Sequence, residues 1–329
     1  MKNLFKALSI VLFGVLIFSC SDDDDNTIVD DNNLGTGEVE IRSYPGDWDS
    51  KISFVAAAAK ITIDWGDGCV DRLTLDGTRR EFTHKYDNQD FRTIKISTEA
   101  MTYMGLGHHN STHNELRFGN CPDLKEINSS STGNLTILTI ESAPVLTSLI
   151  CDRNQLTDLD LSGCPALTNL ACYRNQLTSL NISECTKLIN LDCSLNRLTS
   201  LDVSKYTALT SLDCGWNQLT DLNASGCTAL TRLHANTNQL TDLDVSGCSA
   251  LINLYCGTNR LTSLDVSECT ALTILDCYKN QFAETELNSL LNNLPDCNNG
   301  AVYIGENPGA DTCDKSIATD KGWTVYNFY

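Results

Sequence analysis

A 21-residue pattern repeats through the middle of the chain. Its working form is LTxLxCxxNxLTxLDVSxCTA, and consecutive units open at Leu146, Leu167, Leu188, Leu209, Leu230, Leu251 and Leu272. A looser unit of 22 residues opens at Leu124. A unit this short cannot bury its own apolar face, so the units must stack on one another. The repeat therefore predicts a solenoid over residues 124–281.

Within each unit, the stretch LxCxxN alternates between two faces of a short strand. In the unit that opens at Leu146, Leu149 and Cys151 fall on one side, and Ile150 and Asp152 fall on the other. Stacked parallel strands lie about 4.8 Å apart, so eight units predict a ribbon roughly 35 to 40 Å long. Few residues are left for the return side, which we expect to be extended or 3₁₀ rather than a full helix.

The segment LxxLxCxxNxL resembles the hallmark of the leucine-rich-repeat family, with cysteine at one of its apolar positions. The resemblance covers residues 124 to about 282 and implies a mainly β solenoid built on a parallel β-ribbon. In that family, the outward positions of the ribbon line a concave face, where partners usually bind. The looser unit lacks the cysteine and carries Asn134 out of register.

One column of the repeat is always asparagine. Its members are Asn154, Asn175, Asn196, Asn217, Asn238, Asn259 and Asn280. A turn inside a stack removes backbone groups from water, and a side-chain amide can satisfy them. We therefore interpret these residues as structural. The Ser column from Ser162 to Ser267 and the Asp or Asn column from Asp160 to Asp265 are suited to closing turns.

Most of the 16 cysteines follow the repeat. One ladder contains Cys151, Cys172, Cys193, Cys214, Cys256 and Cys277, and the other contains Cys121, Cys164, Cys185, Cys227, Cys248 and Cys269. Ala235 and Tyr206 fill missing rungs, which a packing position tolerates and an obligatory disulfide does not. We predict buried thiols that act as small apolar groups. Occasional bridges between stacked neighbours stay open as an alternative, and Cys297 with Cys313 is a candidate pair in the C-terminal cap.

The first 19 residues have the layout of a secretory signal, with Lys2 and Lys6 before a short apolar run. The following LIFSC resembles a bacterial lipobox, which implies a lipid on Cys20, although Phe18 departs from the usual small residue. SDDDD resembles the acidic tag of surface lipoproteins of the Bacteroidetes. We expect residues 20–37 to form an acidic tether at the outer membrane. The alternative is a plain secretion signal followed by a solvated linker.

The regions on either side of the repeat predict two different caps. Residues 38–97 read as strands, and IDWGDG followed by THKY resembles the PKD-type immunoglobulin-like β-sandwich. The resemblance gives Trp65, His84 and Tyr86 a role in holding that sandwich together. Residues 98–123 are interpreted as a junction or N-terminal cap. Residues 282–329 are predicted to form an α/β cap, in which leucines at helical spacing indicate a helix.

Charge limits the classes of partner. The chain carries a net charge of −19, and without the two lysines of the signal it has 21 basic residues against 42 acidic ones. This field repels phosphate backbones, so nucleic acid is not an expected partner, and membrane contact is expected only through the lipid on Cys20.

The sequence contains no GxSxG, HExxH, phosphate-loop, GxGxxG or calcium-loop motif, and we predict a protein that is not an enzyme and has no cofactor. The stretch GLGHHNSTHNE brings His108, His109 and His113 close together. A metal site is one interpretation of these histidines. An irregular junction before the first repeat is the other, because glycine, asparagine and serine disfavour a helix there.

Three columns that follow the central leucine vary from unit to unit. The first contains Ile150, Ala171, Asp192, Asp213, His234, Tyr255 and Asp276; the second contains Asp152, Tyr173, Ser194, Gly215, Asn236, Gly257 and Tyr278; the third contains Arg153, Arg174, Leu195, Trp216, Thr237, Thr258 and Lys279. We interpret them as outward positions of the ribbon. Neutral drift on a solvated face would also make them vary.

Aromatic residues and arginine contribute much of the energy of protein interfaces. The predicted partner-binding residues on the concave face are Arg153, Tyr173, Arg174, Trp216, His234, Tyr255, Tyr278 and Lys279. We expect a protein ligand on a host or bacterial surface. Capture of a glycan by the aromatic residues and a purely structural spacer in the cell envelope are the alternatives.

Overall fold

The computed structural model describes residues 34–44, 51–106 and 112–327. The chain is mainly β, and the regular elements in the described part of its N-terminal region are all strands. These strands are β1 (Glu38–Tyr44), β2 (Lys51–Ala57), β3 (Lys60–Asp64), β4 (Val70–Thr74), β5 (Arg80–Lys85), β6 (Arg92–Glu99), β7 (Tyr103–Leu106) and β8 (Thr112–Asn120). Burial alternates along β3, where Ile61 and Ile63 point inward, so this strand covers a core with one face.

The repeat region forms short strands, most of them three residues long. They are β9 (Glu126–Asn128), β10 (Ile137–Ser142), β11 (Ser148–Ile150), β12 (Asn169–Ala171), β13 (Asn190–Asp192), β14 (Ser211–Asp213), β15 (Asp221–Asn223), β16 (Arg232–His234), β17 (Asp242–Asp244), β18 (Asn253–Tyr255) and β19 (Ile274–Asp276). The C-terminal cap adds α1 (Glu284–Asn293), β20 (Gly300–Tyr303), α2 (Ser316–Thr319) and β21 (Trp323–Tyr326). Among the described residues, no helix is long and apolar enough to cross a membrane.

The ribbon strands stack in parallel, one from each repeat. The long sheet has the order β21-β20-β19-β18-β16-β14-β13-β12-β11-β9-β7-β2-β5. Leu149 pairs with Leu170, which pairs with Leu191, so equivalent leucines lie directly beside one another. This register is a shift of one 21-residue unit per strand. The predicted solenoid is confirmed.

The return side of the solenoid is extended, as the length of the unit requires. β15 and β17 pair in parallel on that side, and Asp160 and Asn181 form an isolated parallel bridge. The return leucines, including Leu159 and Leu222, point inward and are buried. Leucines from the ribbon and from the return side therefore fill the interior, and the asparagine and cysteine columns lie at its edges.

The N-terminal strands join the solenoid on both of its sides. A six-stranded sheet has the order β10-β8-β1-β6-β3-β4, and β10 is the return strand of the first repeat. The second layer, β5-β2-β7, continues into the ribbon through pairing of β7 with β9. One continuous apolar core runs through the sandwich and the solenoid. The N-terminal sandwich thus covers the end of the solenoid that would otherwise be exposed to water.

The WGDG segment ties the two layers of this sandwich together. The Trp65 ring is buried and donates its indole N–H to Asp71 Oδ2 at 2.8 Å. His84 stacks on Trp65 with 4.9 Å between ring centroids and hydrogen-bonds Asp67 at 2.7 Å. Tyr86 donates its hydroxyl to the Trp65 carbonyl oxygen at 2.8 Å. These contacts give Trp65, His84 and Tyr86 the structural role that the sequence predicts, while the PKD-type relationship stays a prediction.

The asparagine column closes the turn after each ribbon strand. Asn196 Nδ2 donates to the carbonyl oxygens of Cys193 at 3.1 Å and Ser194 at 3.2 Å in its own unit, and of Cys172 at 3.0 Å in the preceding unit. Its Oδ1 accepts the N–H of Leu177 at 3.0 Å. The same arrangement recurs at Asn175, Asn217, Asn238, Asn259 and Asn280, whereas the Oδ1 of Asn154 accepts the Thr132 hydroxyl instead of a leucine N–H. The predicted structural role is confirmed.

The cysteine ladders are buried free thiols, as predicted. Several thiols of the second ladder lie near a backbone carbonyl oxygen; for example, Cys227 Sγ is 3.2 Å from Val203 O. Ala235 replaces a cysteine of the first ladder and is buried. Tyr206 replaces a cysteine of the second ladder and is also buried, and its hydroxyl donates to Ile182 O at 2.5 Å. Burial raises the pKa of Cys164 to about 12, so these thiols are protonated and unreactive at neutral pH.

The candidate pair in the cap is wrong, because Cys297 and Cys313 are both free thiols. Cys313 Sγ lies 3.7 Å from the carbonyl oxygen of Ala310 in its own turn. Cys297 lies in a different segment, where its N–H donates to Lys321 O at 2.8 Å. Outside the ladders, Cys69 is disulfide-bonded.

The C-terminal cap contains the predicted helix and one rung that the repeat pattern did not reveal. Helix α1 buries Leu287, Leu290 and Leu291. β20 then pairs with β19, and Val302 takes the position of the ribbon leucine. Asn307 takes the position of the turn asparagine, since its Nδ2 donates to Cys277 O at 2.9 Å and to Ile304 O at 2.8 Å. The solenoid therefore extends beyond the last 21-residue unit.

Candidate functional site: the concave face and the ridge

The concave face is formed by two columns of each ribbon strand, on either side of the buried central leucine. The second of these columns is the one that the sequence identified, from Ile150 to Asp276. The first was missed, and it contains Ser148, Asn169, Asn190, Ser211, Arg232, Asn253 and Ile274. The alternation along the strand that placed Ile150 outward also applies to the residue before each leucine, so the signal was present.

The middle of this face is a shallow concavity of about 530 Å³ between β11 and β16. Its polar lining includes Asn169, Asn190, Asp192, Asp213 and Arg232. Burial raises the pKa of Asp213, and the neighbouring Asp192 carboxylate raises it further. The floor can therefore offer amide groups and closely spaced carboxylates to a ligand.

Two predicted site residues, His234 and Tyr255, lie on adjacent ribbon strands and contact each other. They pair across β16 and β18, and their ring centroids are 4.4 Å apart. His234 Nδ1 is 3.7 Å from Asp213 Oδ2. The structure thus places both rings on the concave face, beside the acidic floor.

The other predicted residues lie beyond the strands. Tyr173 and Tyr278 follow the buried cysteine, where the chain leaves the ribbon. Arg153, Arg174, Trp216 and Lys279 occupy the next position, in the turn that the asparagine column closes. This whole column has backbone φ between +54° and +57°, and its members are Arg153, Arg174, Leu195, Trp216, Thr237, Thr258 and Lys279.

We call this exposed edge the ridge. It consists of the column with positive φ together with the column two residues later, which contains Gln155, Gln176, Arg197, Gln218, Gln239, Arg260 and Gln281. Positive φ is unfavourable for residues other than glycine. Hydrogen bonds hold it here: the N–H of Trp216 donates to Asn236 O at 2.9 Å, and that of Arg174 donates to Ser194 O at 2.9 Å. The next rung therefore determines the conformation of each turn.

Trp216 and Leu195 form an apolar pair on neighbouring rungs of the ridge. The Trp216 side chain is 55% exposed and that of Leu195 is 41% exposed. Together with Arg174 and Arg197, they line a shallow concavity of about 420 Å³. The indole N–H of Trp216 has no acceptor among the described residues. No framework role explains these exposed apolar surfaces.

Contacts differ along the ridge. At its N-terminal end, the Arg153 guanidinium lies 5.5 Å from the centroid of the Tyr173 ring. At its C-terminal end, Tyr278 donates its hydroxyl to Glu306 at 2.5 Å, and Lys279 Nζ is 3.8 Å from the same carboxylate. Tyr278 and Lys279 are thus engaged with the cap.

The cap adds two aromatic residues to the concave face that the 21-residue pattern does not predict. Tyr303 and Tyr326 continue the column of Tyr255 and Asp276 through the register of β19, β20 and β21. Their rings stack with 4.7 Å between centroids. Only the register of the cap could have identified them, because they lie outside the 21-residue period.

Of the three histidines in GLGHHNSTHNE, only His113 lies among the described residues. His113 is fully buried on β8, and burial lowers its pKa to about 4. His108 and His109 lie outside the described residues, as does the predicted lipidation site Cys20. Within the described ranges, Asp67, Cys69 and His84 bring possible ligand atoms within 4.8 Å of one another. The disulfide at Cys69 removes its thiolate from that set.

Comparisons with known proteins agree with the solenoid. No family model and no curated protein matches the chain. Among solved structures, the functional domain of InlJ from Listeria monocytogenes, which includes a cysteine ladder, is 32% identical with a TM-score of 0.55. That match covers 68% of this chain but 52% of the other, so the chain spans about half the length of that protein.

Two further structures are more distant. YopM from Yersinia pestis is 22% identical over 62% of this chain and 60% of its own, with a TM-score of 0.46. A leucine-rich-repeat protein of Leptospira interrogans is 20% identical over 65% of this chain and 71% of its own, with a TM-score of 0.43. The stacked 21-residue units and their likeness to InlJ establish that the chain has the fold of a leucine-rich-repeat solenoid.

Proposed function

We propose that the chain binds another protein through the concave face and the ridge, and that it acts by binding rather than by catalysis. The observation that carries the proposal is the exposure of Trp216 beside Leu195 on neighbouring rungs of the ridge. Tryptophan contributes strongly at protein interfaces. The open ribbon presents its polar groups along a surface instead of converging them in an enclosed catalytic pocket.

The likeness to InlJ supports a binding role only at the level of the fold, because the chain covers half of that protein. The internal comparison of repeats adds support. The framework columns stay constant, while the exposed positions change from arginine to leucine, tryptophan and threonine at one backbone conformation. A binding surface built on a repeated frame would vary in this way.

The test uses purified protein and its candidate partners from cell surfaces. We expect Trp216→Ala combined with Tyr255→Ala to weaken binding at least tenfold, since large aromatic contacts are often worth 2 kcal/mol or more, roughly. The matched control is Thr258→Ala with Asn253→Ala, which changes smaller residues on the ridge and on the concave face. Unchanged affinity of the aromatic double variant, with the fold intact, would contradict the proposed surface.

Glycan capture is the second candidate, and the stacked Tyr303 and Tyr326 rings favour it. Aromatic faces beside carboxylates and amides suit a sugar ring. A glycan array probed with the wild-type protein and with Tyr303→Ala separates the two classes of ligand. If neither a protein nor a glycan binds, the solenoid is better regarded as a structural spacer.

We also propose that a lipid on Cys20 anchors the chain to the outer membrane, with the body exposed at the cell surface. The lipobox-like LIFSC and the acidic SDDDD support this localisation. A lipid on Cys20 adds its mass to the mature protein, so the intact mass tests this proposal. Lipid loss in Cys20→Ser is expected, and protection of the protein from protease on intact cells would contradict surface exposure.

A further inference from the structure

The ridge has a charge opposite to that of the chain as a whole. The chain carries −19, yet the exposed ridge positions from Arg153 to Gln281 include no aspartate or glutamate. Their charged residues are Arg153, Arg174, Arg197, Arg260 and Lys279. The ridge is therefore a basic strip between an acidic concave floor and an acidic return side.

The basic residues are not equally available. Lys279 lies beside Glu306 at 3.8 Å, and Arg153 is 3.9 Å from the largely buried Asp152. Arg174 and Arg197 are exposed and form no ion pair with any residue in the described ranges. A guanidinium without an internal carboxylate remains free to form a bidentate pair with an external one.

The apolar pair lies beside these two arginines. Arg174, Leu195, Arg197 and Trp216 line the same shallow concavity on three successive rungs. Leu195 occupies the rung between Arg174 and Trp216, and Arg197 follows it on the same rung. This arrangement alternates apolar surface with positive charge over a short distance.

We propose that this part of the ridge binds an acidic protein segment that carries a large apolar residue next to its carboxylates. The inference rests on the proposed function and specifies the chemistry of the partner. The carboxylates pair with Arg174 and Arg197, and the apolar side chain covers Leu195 and Trp216. A purely anionic polymer would satisfy the arginines but would leave the exposed leucine without a partner.

The spacing of the rungs sets the scale of the recognised segment. Successive rungs lie about 4.8 Å apart, so the three rungs span roughly 10 Å, which corresponds to about three residues of an extended chain. The recognised motif is therefore short, with an apolar residue and at least one acidic residue within three to five positions. Exposed ion pairs are screened by salt, so its affinity should fall as ionic strength rises.

The experiment is a selection of displayed random 12-residue peptides on the immobilised full chain, followed by affinity measurements with the selected peptides. We expect the selected sequences to combine aspartate or glutamate with leucine, phenylalanine or tryptophan. Arg174→Glu with Arg197→Glu should weaken their binding at least tenfold, and Leu195→Ser with Trp216→Ser should do the same. Lys187→Glu with Lys205→Glu is the matched control, because it reverses the same number of exposed charges away from the ridge and the concave face, and it should leave affinity within twofold.

The outcomes separate this inference from the proposed function. Selected peptides that lose affinity in Tyr255→Ala but bind the arginine variant normally would overturn the ridge inference and leave the concave-face proposal standing. Basic peptides, or equal binding of polyglutamate without an apolar residue, would also overturn it. If no peptide is enriched, the inference is wrong as stated, while partner binding by folded proteins still tests the broader proposal. Unchanged thermal unfolding of each variant excludes loss of fold.

Discussion

The two edges of the solenoid close their turns in different ways. At the ridge, a buried asparagine connects two successive rungs, as Asn196 does through the Cys193 carbonyl oxygen of its own rung and the Cys172 carbonyl oxygen and Leu177 N–H of the preceding one. At the opposite edge, where the chain passes from the return side to the ribbon, an exposed carboxylate or amide closes its own turn. Asp202 Oδ1 accepts the N–H of Ser204 at 3.0 Å and its hydroxyl at 2.7 Å.

This difference explains why one edge varies and the other does not. At the opposite edge, the exposed side chains are themselves the turn closure, so the column is confined to Asp160, Asn181, Asp202, Asn223, Asp244 and Asp265. At the ridge, the closure is internal, and the residue beside the asparagine can be arginine, leucine, tryptophan, threonine or lysine. Exposure alone does not produce variation. A surface position is available for binding when the frame does not use its side chain.

Alkaline pH should produce the largest effect, because each edge encloses one thiol ladder. Burial raises the pKa of Cys185 and Cys227 to about 11 at the opposite edge and raises the pKa of Cys193 well above its ordinary value at the ridge. The unfolded thiols ionise near pH 9, so the stability they contribute is complete below that pH. Above pH 9, the free energy of unfolding should fall by up to about 1.4 kcal/mol per pH unit for each thiol that is ionised in the unfolded chain but still protonated in the folded one.

Urea denaturation between pH 7 and pH 11 measures this dependence. Cys214→Ala is the matched control, because it removes one ionisable thiol from the ridge ladder and should make the alkaline decline shallower by one thiol's contribution. A free energy of unfolding that stays constant up to pH 11 would contradict the protonated, buried ladders.

Removing the turn closure should separate the two edges directly. Asn196→Ala deletes donors to three carbonyl oxygens and an acceptor for the Leu177 N–H, and we expect it to cost about 3 to 4 kcal/mol. Asp202→Ala removes exposed hydrogen bonds and should cost about 1 kcal/mol or less. Urea denaturation of both variants gives the comparison. Equal losses of stability would contradict the expectation that the buried closure contributes more than the exposed one.

The sequence predicts this frame well because its information is local and repeated. Leucine, cysteine and asparagine recur in one register, so the interior and the buried turn follow from the alternation and from backbone hydrogen bonding. The extra rung at Val302 and Asn307 was missed because α1 is inserted before it. Asn307 follows Asn280 by 27 residues instead of 21, which hides the period.

The geometry of the candidate site is less visible in the sequence. Positive φ usually signals glycine, yet the ridge column contains none, because hydrogen bonds to the next rung impose the conformation. The strand alternation predicted Arg153, Arg174 and Trp216 on the ribbon, whereas they lie in the turn beside it. The pairing of β7 with β2 and β9, which fuses the sandwich to the solenoid, depends on distant segments and has no local signature.

The concave floor should respond to charge removal with a smaller change of opposite sign. Burial and the nearby Asp192 raise the pKa of Asp213, so its charged form is disfavoured in the folded chain. Asp213→Asn keeps an acceptor for the Gly215 N–H. It should stabilise the fold by less than about 1 kcal/mol at pH 7. The gain should vanish below about pH 4, where both folded and unfolded Asp213 are protonated.

Thermal unfolding of Asp213→Asn at pH 7 and near pH 3.5 checks this sign. Asp202→Asn at the opposite edge is the matched comparison, since hydrogen bonds from Ser204 lower the pKa of Asp202. That variant should not be stabilised at pH 7. Stabilisation of both variants would point to general relief of the net negative charge instead of a local effect at the concave floor.

The smallest effect is expected at the ridge backbone. Thr258 is β-branched and has φ of +56°, a conformation that costs a residue other than glycine about 1 to 2 kcal/mol. Thr258→Gly relieves this strain. Glycine also raises the conformational entropy of the unfolded chain, which lowers the free energy of unfolding by about 0.4 to 1 kcal/mol, so we expect a net stabilisation of roughly 0.5 kcal/mol. Thr273→Gly is the control, because Thr273 lacks positive φ and should lose stability. A loss in Thr258→Gly would mean that the ridge side chains support the fold. A gain would mean that the ridge retains residues other than glycine despite their backbone strain, as a surface selected for contact would.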